Sequence, residues 1–179
     1  MLVTLVIIIV VLIAAVLAYA GTRPNSFRIE RSTSIKAAPA TVYALIEDFH
    51  RWGGWSPWEK LDPALNRSFS GSPSGKGSIY EWQGNKKVGK GRMEIKEAVA
   101  PSRVKIQLDF FQPFEAHNTA EFTLTPRGDS TDVTWAMYGP SPFMAKLMGL
   151  VMNMDKMVGK DFERGLAAMK SEAEQRLLP

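Results

Sequence analysis

The chain has 179 residues, of which 45% are apolar and 22% are charged, a composition typical of one globular domain with an appendage. Its net charge of +4 is spread over Lys and Arg residues that alternate with Asp and Glu, so no basic stripe indicates a nucleic-acid partner. The chain has no Cys and two His, His50 and His117, which excludes disulfides, thiolate nucleophiles and multi-histidine metal sites. We therefore expect neither a metal nor a cofactor.

Residues 1–21 predict a membrane anchor. From Leu2 to Ala20 the chain carries no charged side chain, and as a helix this run just spans the hydrocarbon core of about 30 Å. A cleaved signal peptide is the alternative, because Ala18 and Ala20 fit a small-x-small cleavage site. The apolar run is longer than a usual signal sequence and no Lys or Arg precedes it, which favours a retained single-pass anchor. Residues 22–26 are then a tether and residues 27–179 a domain.

The cationic residues after this segment bear on its orientation. Arg23, Arg28, Arg31 and Lys36 all follow the apolar run. The tendency of cationic flanks to stay in the cytoplasm places the domain on the cytoplasmic side, although a large domain can override it.

The domain begins with a mixed β-branched and polar strand at residues 27–36. Pro39 suits the first turn of a short helix whose Val42, Leu45 and Ile46 share one face. A segment with three tryptophans follows at residues 49–58. We expect it either to pack over the end of a sheet or to form a lid or interfacial anchor.

From Leu65 the apolar period changes to two, which predicts an antiparallel sheet. Val104, Ile106, Leu108 and Phe110, for example, alternate with polar residues. Turn signals divide this part of the chain into six further strands, at residues 65–70, 77–83, 87–98, 103–111, 116–126 and 131–138.

The last part of the chain, residues 143–178, predicts one helix about 50 Å long. One face carries an apolar stripe made of Leu147, Val151, Met154, Val158, Phe162, Gly165 and Met169. The stripe needs a broad apolar partner, which the sheet provides. Because a curved sheet does not seal against a straight helix everywhere, a cavity between them is expected.

Over residues 28–173 the chain resembles the START-like superfamily, in its polyketide cyclase/dehydrase-like (SRPBCC) branch. The resemblance rests on the order and spacing of several short segments: Ala38-Pro39, Asp48, Trp52-Gly-Gly-Trp55-Ser-Pro-Trp58, residues 77–82, 89–93 and 143–149, and Asp161-Phe162-Glu163. It implies an α+β helix-grip fold, with a seven-stranded curved antiparallel sheet around a C-terminal helix and a hydrophobic cavity. Members of this superfamily mostly bind or carry lipids, sterols or polyketides, and a minority catalyse cyclisation or dehydration.

Eleven residues are candidates for the lining of that cavity, or else for plain core packing. On the strands they are Tyr80, Trp82, Leu108, Phe110, Asn118, Trp135 and Met137, and on the helix Val151, Asp155, Val158 and Phe162.

Asp155 is the one candidate for catalysis. A carboxylate beside the apolar stripe would be desolvated, which raises its pKa and makes it an acid, a base or a ligand anchor. The alternative is that the helix restarts at Asn153, so that Asp155 stabilises a first helical turn.

Three functions remain open. The leading hypothesis is a membrane-tethered, non-catalytic module that binds a small hydrophobic ligand, either lipid, polyketide-like or isoprenoid-like. The second is a cyclase or dehydratase that uses Asp155 and Asn118. The third is a protein-interaction module without a ligand, which predicts a filled core.

Overall fold

The computed structural model describes residues 1–175. Its first element, helix α1 (Leu2–Gly21), has a mean hydropathy of 3.2 and is long and apolar enough to cross a membrane. Ala20, at its C-terminal end, is the one buried residue of this helix. A retained anchor and a signal sequence both fit this length and composition.

Seven strands follow and form one antiparallel sheet, which confirms the predicted number. They are β1 (Ser26–Ile35), β2 (Asn66–Gly71), β3 (Ser78–Gln83), β4 (Lys90–Val99), β5 (Arg103–Gln112), β6 (Ala116–Arg127) and β7 (Ser130–Pro140). Their order across the sheet is β1-β7-β6-β5-β4-β3-β2, so β1 and β2 are the two edges. The chain crosses from one edge to the other between these two strands.

That crossing consists of helix α2 (Pro39–Ile46), a 3-10 turn and the short helix α3 (Trp52–Trp55). Helix ends leave carbonyl groups unpaired. The indole N–H of Trp55 donates to the carbonyl of Leu45, and that of Trp52 to the carbonyl of Ile46, both at 3.0 Å. Both tryptophans are buried, so this segment packs into the core and is not a lid.

The C-terminal part is two helices, and the prediction of one continuous helix is wrong. Helix α4 (Phe143–Val151) ends where Met152 turns to an extended backbone. Helix α5 (Met154–Gln175) begins after Asn153, whose side-chain oxygen accepts a hydrogen bond from the backbone N–H of Lys156 at 2.9 Å. This is an N-cap, which asparagine favours. The end of the predicted helix, at 176–178, lies outside the described residues.

Helix α5 packs with α2 and α3 on the face of the sheet that we name the inner face. Its buried side is formed by Gly159, Phe162, Gly165, Leu166, Met169 and Ala173. Along β1, Arg31 holds Asp155 in the first turn of α5, and further on the Lys170 amine donates to the Ser34 carbonyl at 2.8 Å. The helix therefore starts over Arg31, and the first residues of β1 lie beyond it. The arrangement confirms the predicted α+β helix-grip fold.

Candidate functional site: the open end of the inner face

One end of the inner face extends beyond helix α5. This is the end at which β1 begins and β7 stops, since Ser26 pairs with Pro140. Several apolar side chains there pack against the core and stay only partly buried. We name this group the open end, and it consists of Phe27, Trp58, Val88, Leu108, Phe110 and Val158. Partly exposed apolar surface of this kind is a feature of sites for small apolar ligands.

Asn118 adds one polar group to the open end. It pairs with Leu108 in the β5–β6 ladder, and its side chain forms no hydrogen bond within the described part of the chain. Its amide oxygen occupies the position that a Cβ at residue 139 would need, and Gly139 leaves that space free. The amide can therefore donate to or accept from a ligand.

Tyr80, Trp82 and Met137 are buried residues of the inner face. The Tyr80 hydroxyl donates to Glu59 at 2.5 Å, and Arg67 pairs with the same carboxylate at 2.6 Å. Burial, with Glu59 beside it, raises the pKa of Tyr80. The indole N–H of Trp82 donates to the carbonyl of Val88 at 3.2 Å. These contacts hold the side chains in place as structural support and leave their polar atoms paired.

The space between α5 and the centre of the sheet is filled by aromatic rings. Trp135 stacks on Phe162 with ring centroids 4.2 Å apart and on Phe122 at 4.9 Å. Trp55 and Trp58 meet Trp135 edge to face. Trp135 and Phe162 are therefore core residues, in agreement with the packing alternative. The indole N–H of Trp135 is buried and has no acceptor among the described residues.

Three surface depressions lie away from the buried side of α5. The largest, about 800 Å³, runs along the solvent side of α5 and is lined by Lys156, Met157, Lys160, Asp161 and Arg164, among others. It is bounded by one helix and does not enclose a ligand. A groove of about 300 Å³ lies mainly on the outer face, beside Lys105, His117 and Tyr138, and it also borders Asn118 and Gly139. A third, of about 140 Å³, lies beside His50 and Phe69.

Two helical residues of the predicted site lie on the surface instead. Val151 is 89% exposed, at the end of α4. The carboxylate of Asp155 is 61% exposed and lies 3.1 Å from the Arg31 guanidinium, which lowers its pKa. A cavity-facing acid would show a raised pKa. The prediction of a desolvated Asp155 is therefore wrong, and the alternative of a first-turn acid in α5 describes it correctly.

Of the predicted residues, Leu108, Phe110 and Val158 belong to the partly buried apolar group, and Asn118 pairs with Leu108 in the sheet. Three residues of the open end, Phe27, Trp58 and Val88, were not among the predicted site residues. Phe27 shares the strand parity of buried Ile29, which is a usable signal. Val88 lies between β3 and β4, whereas the sequence predicted a strand from residue 87 onward, so strand periodicity did not identify it.

The comparisons agree with this architecture. The model of the family described as polyketide cyclase / dehydrase and lipid transport matches residues 26–174. The chain therefore belongs to this family. No curated protein matches the chain.

Solved structures show the same fold at low sequence identity. A protein of unknown function from Staphylococcus aureus, SA2116, is 14% identical with a TM-score of 0.65, over 86% of this chain and 97% of its own. Protein CV1439 from Chromobacterium violaceum is 16% identical with a TM-score of 0.58, over 85% of this chain and 99% of its own. DynU16, a putative protein in the dynemicin biosynthetic locus, is 14% identical with a TM-score of 0.55, over 85% of this chain and 48% of its own.

Proposed function

We propose that the chain is a membrane-tethered, non-catalytic module that binds a small apolar molecule at the open end of its inner face. The observation that carries this proposal is the partly exposed apolar group at this end of the sheet, with the unpaired amide of Asn118 beside Leu108. The family description, which includes lipid transport, and the apolar helix α1 support it. Arg23 and Arg28, after the helix, favour the cytoplasmic side for the domain.

The side chains suggest what the ligand looks like. The walls contribute hydrocarbon and aromatic surface from Leu108, Phe110 and Val158, and Asn118 contributes one amide. A ligand with an apolar body and a single carbonyl or hydroxyl group matches this set. Lipid-like, polyketide-like and isoprenoid-like molecules all have this form.

The same residues favour binding over catalysis. The acid that the sequence offered, Asp155, is engaged on the surface with Arg31 and lies outside the open end. Acid–base chemistry needs a titratable group within hydrogen-bonding distance of the reacting atom. A ligand that is held and released needs none.

A photo-crosslinking experiment tests the proposal. The full chain, reconstituted in lipid nanodiscs, is exposed to a diazirine-bearing fatty acid, irradiated and mapped by peptide mass spectrometry. We expect saturable labelling of peptides from β5, β6 and the start of α5, which an excess of unlabelled fatty acid removes. Labelling confined to α1 would report the bilayer alone and would overturn the proposal.

Filling the site provides the matched comparison. Leu108→Trp places a larger ring in the open end and should abolish most of the saturable labelling. Leu61→Trp makes the same change at a 40% exposed residue of the α3–β2 connection and should leave the labelling unchanged. Equal labelling of both variants would contradict this location for the site.

The stacking of Trp135 on Phe162 favours a second candidate, a protein-interaction module with a filled core. This candidate predicts no saturable labelling in any variant, so the same experiment separates the two.

A further inference from the structure

Helix α4 exposes an apolar side to its surroundings. None of its nine residues is buried. Met144, Met148 and Val151 share one side of the helix because they are spaced at i, i+4 and i+7. They are 65%, 37% and 89% exposed. A short helix with such a stripe is not stabilised by the domain core, which indicates a second apolar partner.

The position of α4 shows which partner is at hand. Helix α4 contacts α1, and the buried Ala20 places that contact at the C-terminal end of α1. Asn25, in the tether, accepts a hydrogen bond from the Lys146 amine at 2.6 Å and one from the backbone N–H of Ser141 at 2.7 Å. The start of α4 is thus fastened to the chain where it leaves α1.

The lengths of α1 and of the segment that follows it limit how far α4 can lie from the bilayer. The 20 residues of α1 make a helix about 30 Å long, which matches the hydrocarbon core without surplus. The four residues from Thr22 to Asn25 reach at most about 14 Å when fully extended. If α1 spans the membrane, α4 therefore lies at the level of the lipid headgroups.

Other segments at this end of the sheet have matching chemistry. Phe111, at the end of β5, and Phe114, in the β5–β6 turn, are both exposed, the latter by 67%. Around them, the segments 22–26, 84–90, 112–116 and 141–157 contain six cationic residues and only two acids, Glu115 and Asp155. Apolar side chains surrounded by cations match the surface of an anionic bilayer.

We propose that α4 and the β5–β6 turn form an in-plane contact with an anionic bilayer, which turns the open end toward the lipid. The inference rests on the proposed function in one respect, that α1 is retained and spans the membrane. The ligand then enters from the bilayer itself, and its class is a molecule that partitions into membranes.

Site-specific labelling tests the contact, and the absence of native Cys makes single labels simple to place. Ile8→Cys, Met148→Cys and Ser74→Cys report α1, α4 and the loop at the opposite end of the sheet. Each full-length variant is labelled with an environment-sensitive fluorophore and reconstituted in vesicles of phosphatidylcholine and phosphatidylglycerol that contain nitroxide-labelled lipid.

We expect nitroxide-labelled lipid to quench most of the fluorescence of the labels at positions 8 and 148. A nitroxide placed near the headgroup should be the effective quencher at position 148, and the label at position 74 should keep its signal. Iodide in the aqueous phase should quench the label at position 74 more strongly than the label at position 148. Quenching at position 8 without quenching at 148 would overturn the contact and leave the anchor in place. No quenching at position 8 would remove the anchor and the inference with it. Photo-crosslinking of the ligand at the open end is measured separately. Failure of the proposed function is therefore distinguishable from failure of the bilayer contact and from loss of the anchor.

Discussion

Arg31 on β1 holds two turns of α5 at once. Its Nη1 lies 3.1 Å from Oδ1 of Asp155, and its Nε lies 2.9 Å from Oε1 of Glu163. A third contact joins Nη2 to the backbone carbonyl of Asp155 at 3.1 Å. These contacts join the start of α5 to β1, and the open end lies beyond this point, uncovered by the helix.

Gly159 lies against the same guanidinium, with no room for a Cβ. In an unconstrained helix, Gly→Ala stabilises by about 1 kcal/mol. Here the Arg31 side chain is held by several partners and has to move, so we expect Gly159→Ala to lower the free energy of unfolding by about 1–3 kcal/mol. Chemical denaturation followed by tryptophan fluorescence measures this.

Two comparisons make the result specific to Arg31. Gly149→Ala in α4 meets no atom within 4 Å and should be neutral or stabilising. In an Arg31→Ala background, Gly159→Ala should also be stabilising, because the obstacle is gone. A loss of stability in both backgrounds would place the clash elsewhere.

Trp55 and Trp135 offer a matched pair in the core. Both are at most 2% exposed, but only Trp55 donates its indole N–H, to the carbonyl of Leu45. Replacement by Phe removes a similar volume at each site, and at Trp55 it also leaves a buried carbonyl without its donor. We expect Trp55→Phe to cost about 1–3 kcal/mol more than Trp135→Phe in thermal or chemical unfolding. Equal losses would mean that the indole of Trp135 also has a partner.

Two tyrosines donate their hydroxyl groups to carboxylates, and the cost in stability of removing each hydroxyl should differ. The Tyr80 hydroxyl is buried against Glu59, whereas that of Tyr138, at 2.7 Å from Glu121, is only partly buried. Tyr80→Phe should therefore cost about 1–3 kcal/mol, and Tyr138→Phe about 1 kcal/mol or less. The reverse order in denaturation measurements would contradict the structural role assigned to the Glu59 cluster.

His117 gives a dependence of stability on pH. Its ring lies 2.8 Å from the buried carboxylate of Asp109, which raises the pKa of the imidazole above its ordinary 6.5. A raised folded-state pKa means that this contribution is fully present below about pH 6.5 and is lost as the pH rises through the folded-state value. Unfolding measured from pH 5.5 to 8.5 should show a decline that His117→Gln removes. His50→Gln is the control and should keep the decline.

Much of the fold was predictable because it depends on local periodicity. The alternation in residues such as Val104, Ile106 and Leu108 marked a strand and its inner face before any partner was known. The same parity placed Asn118 and Phe110 on that face. The restart at Asn153 was also visible as an alternative, since asparagine competes for the backbone N–H groups of a first turn.

The sequence by itself determined the composition of α1, the strands and their faces, and the family. Tertiary structure decided which of those faces is covered. Periodicity placed Val151 and Asp155 near an apolar stripe, but it does not show what packs against them. The partner of Asp155 is Arg31, 124 positions away, and only folding brings the two together. The same long-range contact lies at the start of α5, and the apolar side chains beyond that point are left uncovered by the helix.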